Sequence, residues 1–118
     1  MGVALGELAA LRRQGTPKGI TSVCSAHPLV LRAALRHGAK TGRTVLIEAT
    51  CNQVNHLGGY TGMQPADFAR LVHELAVEEA CPPELVVLGG DHLGPNPWRE
   101  QPAEEAMAEA EALVAAYI

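Results

Sequence analysis

One alternation recurs three times along this chain and restricts its fold more than any other feature. A short aliphatic run gives way to a polar stretch, and a helix then opens at or beside a proline. Ile20-Thr21-Ser22-Val23-Cys24 leads to a helix at Pro28, Thr44-Val45-Leu46-Ile47-Glu48-Ala49 to one at Pro65, and Leu85-Val86-Val87-Leu88-Gly89-Gly90-Asp91 to one at Pro102. Proline suits a helix start because the N–H it lacks would have no intrahelical partner there. Strands that follow one another only through helices require right-handed crossovers, so the sheet is parallel and the class is α/β. The common closed form of this alternation needs eight units and about 250 residues. With 118 residues, the expectation is a truncated set of three strand–helix units forming one partial domain, 1–118.

Within it the pattern predicts a leader helix over 3–14 and strand–helix units over 19–38, 44–79 and 85–118. Leu5, Leu8 and Leu11 recur at helical spacing before the turn-forming Gly15-Thr16-Pro17-Lys18-Gly19. Gly38 is placed as the terminator of the first crossover helix. Phe68, Leu71, Val72 and Leu75 form the apolar face of the second, and Ala103, Met107, Ala110, Leu113, Val114 and Tyr117 that of the third. The second unit is the longest because residues 50–64 have no apolar period. A loop of that length at the carboxyl end of a parallel strand is where α/β proteins place ligands.

Composition narrows the function. Nine basic against thirteen acidic side chains, a formal charge of −4 and four aromatics argue against nucleic acid as a partner. No apolar stretch is long enough to span a bilayer and Met1–Gln14 lacks the layout of a signal peptide, so the expectation is a soluble, cytoplasmic protein without a membrane partner. Cys24, Cys51 and Cys81 are odd in number and show no CxxC, which excludes a disulfide framework and fits a reducing compartment. Cys24 and Cys51 are expected to be buried, inert thiols.

Polar residues gather at the carboxyl ends of all three strands: Ser25 and His27, then Glu48 with Asn52 and Gln53, then Asp91 and His92. In a barrel they would converge on one mouth; strand ends also need polar residues simply to leave a core. Adjacent residues on an extended chain point opposite ways, so Asp91 can serve as acid or base while His92 turns away as a metal ligand. A zinc site needs three or four ligands, which a lone Asp-His pair does not supply. Gly94-Pro95-Asn96-Pro97 reads as a rigid turn, with Trp98 covering an apolar edge. His37, at a helix end, and His73 are expected to be structural or exposed. Gly58-Gly59-Tyr60-Thr61-Gly62 lacks the following Lys-Ser/Thr of a nucleotide P-loop.

Four segments carry a resemblance. Val23-Cys24-Ser25-Ala26-His27-Pro28-Leu29-Val30, Ile47-Glu48-Ala49-Thr50-Cys51-Asn52-Gln53-Val54, Gly58-Gly59-Tyr60-Thr61-Gly62-Met63 with Pro65-Ala66-Asp67-Phe68, and Leu88-Gly89-Gly90-Asp91-His92-Leu93-Gly94-Pro95-Asn96 resemble the GatZ/KbaZ family. Its members are accessory, non-catalytic subunits of class II D-tagatose-1,6-bisphosphate aldolase. The resemblance implies a (β/α)8 barrel, of which these units are the N-terminal portion. It implies a catalytic aldolase subunit as partner, which the accessory subunit keeps active and stable in galactitol, tagatose or N-acetylgalactosamine breakdown. The Asp-His pair is similar to one in metal-dependent aldolases. By that similarity Asp91 exchanges a proton with a sugar hydroxyl and His92 is one ligand of a divalent metal, zinc or similar, whose site is incomplete in this chain. Other similar proteins act as metal-dependent ketose or ketose-phosphate 4-epimerases. That alternative makes Glu48 and Asp91 catalytic, with Ser25, His27, Asn52 and Gln53 binding a sugar phosphate. A three-unit piece is expected to be inactive alone and to associate through its unpaired edges.

Overall fold

The computed structural model describes residues 5–118; the expected helix start at residue 3 lies outside them. Leader helix α1 spans Leu5–Arg13. Three strand–helix units follow: β1 (Ser22–Cys24) with α2 (Pro28–Thr41), β2 (Val45–Thr50) with α3 (Pro65–Glu78), and β3 (Val86–Asp91) with α4 (Ala103–Tyr117). Single 3-10 turns at Pro83–Leu85 and Asn96–Trp98 flank β3. The strands lie side by side in the order β1-β2-β3, and both pairings are parallel. The parallel α/β class read from the alternation is the observed one. Among the described residues, no helix is long and apolar enough to cross a membrane.

The sheet is covered on one face. Along β2 the buried residues are Val45, Ile47 and Ala49, which alternate with half-buried Leu46, Glu48 and Thr50. The buried set packs with Leu31 and Leu35 of α2 and with Phe68, Val72 and Leu75 of α3 into the main core. Among the described residues no helix packs on the other face, where Leu46, Glu48 and Thr50 are only half-buried. The shortest dimension, 18 Å, is that of a sheet with one layer of helices. The accessible surface of 7230 Å² exceeds the roughly 6,100 Å² expected of a compact protein of 12.4 kDa. The open inner face, the unpaired strand edges and helix α1, none of whose residues is buried, all add to that surface.

Helix α2 runs past its expected end. Gly38 is buried inside the helix, which stops at Gly42, a left-handed cap (φ +65°) whose N–H donates to the Gly38 carbonyl at 2.8 Å. The sequence rule for a terminal glycine applied to the wrong one of two, because Gly38 serves packing instead. A Cβ there would stand 2.2 Å from Val45 Cγ2 and 3.2 Å from the Arg43 carbonyl oxygen, so the missing side chain is what lets α2 lie on β2. Gly38→Ala is expected to destabilise the protein by about 1–3 kcal/mol despite alanine's better helix propensity. Urea unfolding measures this, and Val45→Ala in the same chain should restore part of the loss.

Helices α2 and α3 are also joined by charge. Glu79, at the end of α3, accepts from Arg36 Nε at 2.7 Å and from Arg32 Nη1 at 3.2 Å, while Arg32 also pairs with Glu78. The Arg36 guanidinium, helped by Arg32 and opposed by burial, holds the Glu79 carboxyl below the ordinary carboxylate range. A carboxyl whose folded value is lowered adds stability that is present above its unfolded value and is lost as pH falls through the folded one. Acidifying from about pH 5 should therefore lower the melting temperature more for the wild-type chain than for Glu79→Gln.

The buried stripe of α4 is Ala106, Ala110 and Leu113, with Tyr117 half-buried. Ala103 and Met107, placed on that face from sequence, are exposed. Ala110, Leu113, Val114 and Tyr117 of the expected face are buried or half-buried, and only its N-terminal part differs: a second small cluster of Cys51, Trp98, Ala106 and Leu113 draws Ala106 inward in place of Ala103 and Met107. Trp98 does cover an apolar edge, and His37 and His73 are exposed.

Candidate functional site

Strand register brings the reactive side chains together. Cys24 pairs with Glu48 and Glu48 with Gly89, so all three share one row; Thr50 and Asp91 pair in the row two residues further on. Residues two apart on a strand share a face. Cys24, Glu48, Thr50 and Asp91 therefore lie on the uncovered inner face, at the carboxyl ends of the strands. Gly89 has no side chain in the row below Asp91, and a Cβ there would make only ordinary contacts, 3.8 Å from Glu48 Cβ. Its absence leaves space between the two carboxylates.

Cys24 is the first departure from expectation. The thiol placed among buried residues is exposed, and its Sγ lies 3.5 Å from Asp91 Oδ2, donating to it. β1 has only three residues, and Cys24 is its last, so no further strand residue covers it. Desolvation first, then the hydrogen bond and charge of Asp91 and the charge of Glu48, push the thiol above its ordinary value. Cys51 is fully buried, as expected.

His92 follows Asp91 with φ +51°. A histidine in the left-handed region is uncommon and costs backbone energy, a form of strain found at functional positions. The kink turns the imidazole outward, 83% exposed, with Nε2 3.6 Å from Asp91 Oδ1. Gly94 N–H closes the turn on the His92 carbonyl at 2.8 Å. Among the described residues no three His, Cys, Asp or Glu side chains gather as a metal-holding group. One exposed imidazole beside one carboxylate does not by itself fit a zinc centre, which takes three or four protein ligands.

The other sequence candidates have local partners. Ser25 Oγ accepts the His27 N–H at 3.1 Å, and His27 Nδ1 accepts the Leu29 N–H at 3.2 Å as the N-cap of α2. Gln53 Oε1 accepts the Thr50 N–H at 2.8 Å and the Gln53 carbonyl takes the Thr61 hydroxyl at 2.6 Å. Asn52 Oδ1 accepts from Asn96 Nδ2 at 3.2 Å. Asn96, read as part of a turn, thus ties the loop after β3 to the loop after β2. Ser25 and His27 sit beside Cys24 in sequence but are bound into the helix start, so the structure groups them less closely than Cys24, Glu48 and Asp91.

The long loop is ordered by residues that sequence reasoning passed over. Asn55, only 5% exposed, donates to the Cys51 carbonyl at 2.9 Å and accepts from Leu57 N–H at 2.9 Å and Gly59 N–H at 3.1 Å. An asparagine just before Gly58-Gly59 was the available signal. Gly59 has φ +54°, and a Cβ there would lie 2.4 Å from the Gln53 carbonyl oxygen. Tyr117 of α4 donates to the Val54 carbonyl at 2.9 Å, and burial pushes its phenol up to about 12. His56 Nε2 meets Glu109 Oε2 at 2.7 Å while its ring rests 5.3 Å from that of Trp98. No sequence signal marks a pair 53 residues apart.

A parallel sheet with helices on one face and two carboxylates toward its carboxyl end defines an α/β protein with its candidate site on strand ends. The chain belongs to the family of D-tagatose-1,6-bisphosphate aldolase subunit GatZ/KbaZ-like proteins, whose profile matches residues 5–118; the resemblance read from the four motifs is correct. The chain is 63% identical over 118 residues to a D-tagatose 6-phosphate 4-epimerase of Agrobacterium fabrum, covering 100% of the chain and 28% of that protein. It is 53% identical over 112 residues to a D-tagatose-1,6-bisphosphate aldolase subunit GatZ of Salmonella enteritidis, covering 95% of the chain and 26% of the relative. Among solved structures it matches one named as a probable tagatose 6 phosphate kinase from Sinorhizobium meliloti, with TM-score 0.81 and 59% identity, over 85% of this chain and 26% of that one. The chain thus spans about a quarter of the length of these relatives.

Proposed function

We propose that the chain carries the acid–base side of a ketose-phosphate site in a D-tagatose 6-phosphate 4-epimerase of the cytoplasm. The observation that carries this reading is the convergence of Cys24, Glu48 and Asp91 on one open face; the 63% identity to a relative of that name supports it. Asp91 accepts the proton of the C4 hydroxyl as the C3–C4 bond breaks, leaving an aldehyde and an enediolate. The enediolate adds back to the other face of the aldehyde, and the proton returns to the new alkoxide at C4. Glu48, Ser25, His27, Asn52 and Gln53 line the mouth around that centre. A divalent metal such as zinc belongs to this reading only with His92 as one ligand and the others supplied from outside the chain, and it would polarise the sugar carbonyl. The glycine-rich segment is not a nucleotide-phosphate cradle in this reading, since the Gly58, Gly59, Tyr60, Thr61 and Gly62 amides all donate within their own loop.

The test is a spliced protein in which these 118 residues replace the matching segment of the Agrobacterium relative. Conversion of D-tagatose 6-phosphate to D-fructose 6-phosphate supports the reading, and no conversion by a folded splice rejects it. The family profile and the GatZ relatives favour a second role, as part of an accessory subunit that sustains a catalytic aldolase partner. For that role, co-expression of the splice with a catalytic D-tagatose-1,6-bisphosphate aldolase subunit should raise the partner's activity or half-life.

A further inference from the structure

The contact between Cys24 and Asp91 crosses the sheet. Neighbouring strands stand about 4.8 Å apart, so β1 and β3, on either side of β2, are separated by roughly 10 Å. A cysteine and an aspartate span such a gap only by leaning toward each other over the middle strand. Sγ reaches Oδ2 at 3.5 Å, above Glu48 and Thr50, leaving Oδ1 toward His92. The two carboxylate oxygens therefore have different surroundings: one is held by a thiol, and the other lies 3.6 Å from the exposed His92 imidazole.

We propose that Cys24 is a positioning residue for Asp91, its S–H fixing Oδ2 so that Oδ1 is the oxygen presented to the reacting sugar hydroxyl. The proposal rests on the reading of Asp91 as the proton-transfer group. Two features of the site agree with it. Burial and the nearby carboxylates keep the sulfur in its protonated, donating form, the opposite of what a nucleophilic cysteine needs. Gly89, the residue two before Asp91 on the same face, offers no side chain to brace the carboxylate from its own strand. The brace comes from across the sheet.

Two measurements test it. In the spliced protein, Cys24→Ala should lower kcat by about tenfold, the lower end for a lost hydrogen bond to a charged group, and leave KM within about twofold. Cys24→Ser, which restores a donor of similar size, should return kcat to within about threefold of wild type. A general structural role for Cys24 would instead move KM and stability with kcat and show no rescue by serine. The second measurement needs no activity. Cys51 and Cys81 are buried, so iodoacetamide reports on Cys24 in the 118-residue chain, and Asp91→Asn should speed its alkylation at pH 8 by several-fold because the thiolate then forms more easily. Equal alkylation rates in the two chains overturn the contact, and with it the proposal. Faster alkylation with full kcat in Cys24→Ala overturns the positioning role alone. A folded but inactive wild-type splice overturns the functional reading and the role with it, while alkylation still decides whether the contact exists.

Discussion

Asp91→Asn in the spliced protein should reduce turnover of D-tagatose 6-phosphate by about 10²–10⁴-fold, the usual contribution of a positioned general acid–base. The substitution keeps the shape of the side chain and an oxygen for the Cys24 thiol to donate to, so it removes the group that takes up a proton and little else. Asp91 is the last residue of β3 and is paired to Thr50 by backbone register, which an amide at this position does not disturb. Glu48→Gln should cost less, because Glu48 lies a row below and acts on the site through its charge on Cys24. Initial-rate kinetics on the two variants rank the carboxylates, and a larger loss at Glu48 would reverse the assignment.

Asn55→Leu should give the largest stability loss of any single change in the loop. The substitution leaves the Cys51 carbonyl without its Asn55 partner in a buried setting, and the Leu57 and Gly59 amides without theirs in a half-buried one. An orphaned buried group costs about 1–3 kcal/mol and a half-buried one less, so a total near 2–4 kcal/mol is expected, a large part of the 5–15 kcal/mol that holds a typical domain together. Asn55→Asp retains the acceptor for both amides and loses only the donor to Cys51, so its loss should be intermediate. Urea midpoints give the magnitudes. Hydrogen exchange at Gly59 and Tyr60, whose amides donate to Asn55 and Asn52, locates the damage; unchanged exchange there would mean that Asn55 does not organise the loop.

The architecture was legible because it depends on signals spaced along the chain: aliphatic runs, prolines at helix starts, and the periodic face of α3. Where the reading slipped, the deciding contact was tertiary. Gly38 resembles a terminator until Val45 is seen against it, and the face of α4 follows Cys51 and Trp98, which lie on other elements. The site divides the same way. Asp91 and Glu48 stand out as charged residues ending apolar strands, and their shared face follows from the parallel register. The place of Cys24 in the site does not, since its partner is two strands away. The ordering of the loop was hidden for the opposite reason: Asn55 satisfies backbone groups close to it in sequence, and nothing in the spacing of the polar residues of the loop singles it out from its neighbours.

The central claim is that Asp91 moves a proton on a bound ketose phosphate. Calorimetric binding of D-tagatose 6-phosphate to the Asp91→Asn splice, set beside its turnover, tests this most directly. The prediction is a Kd within about threefold of wild type together with the loss of turnover, because the removed group is used in the reaction more than in holding the ground state. Binding that disappears along with turnover, or turnover that survives the substitution, would contradict it.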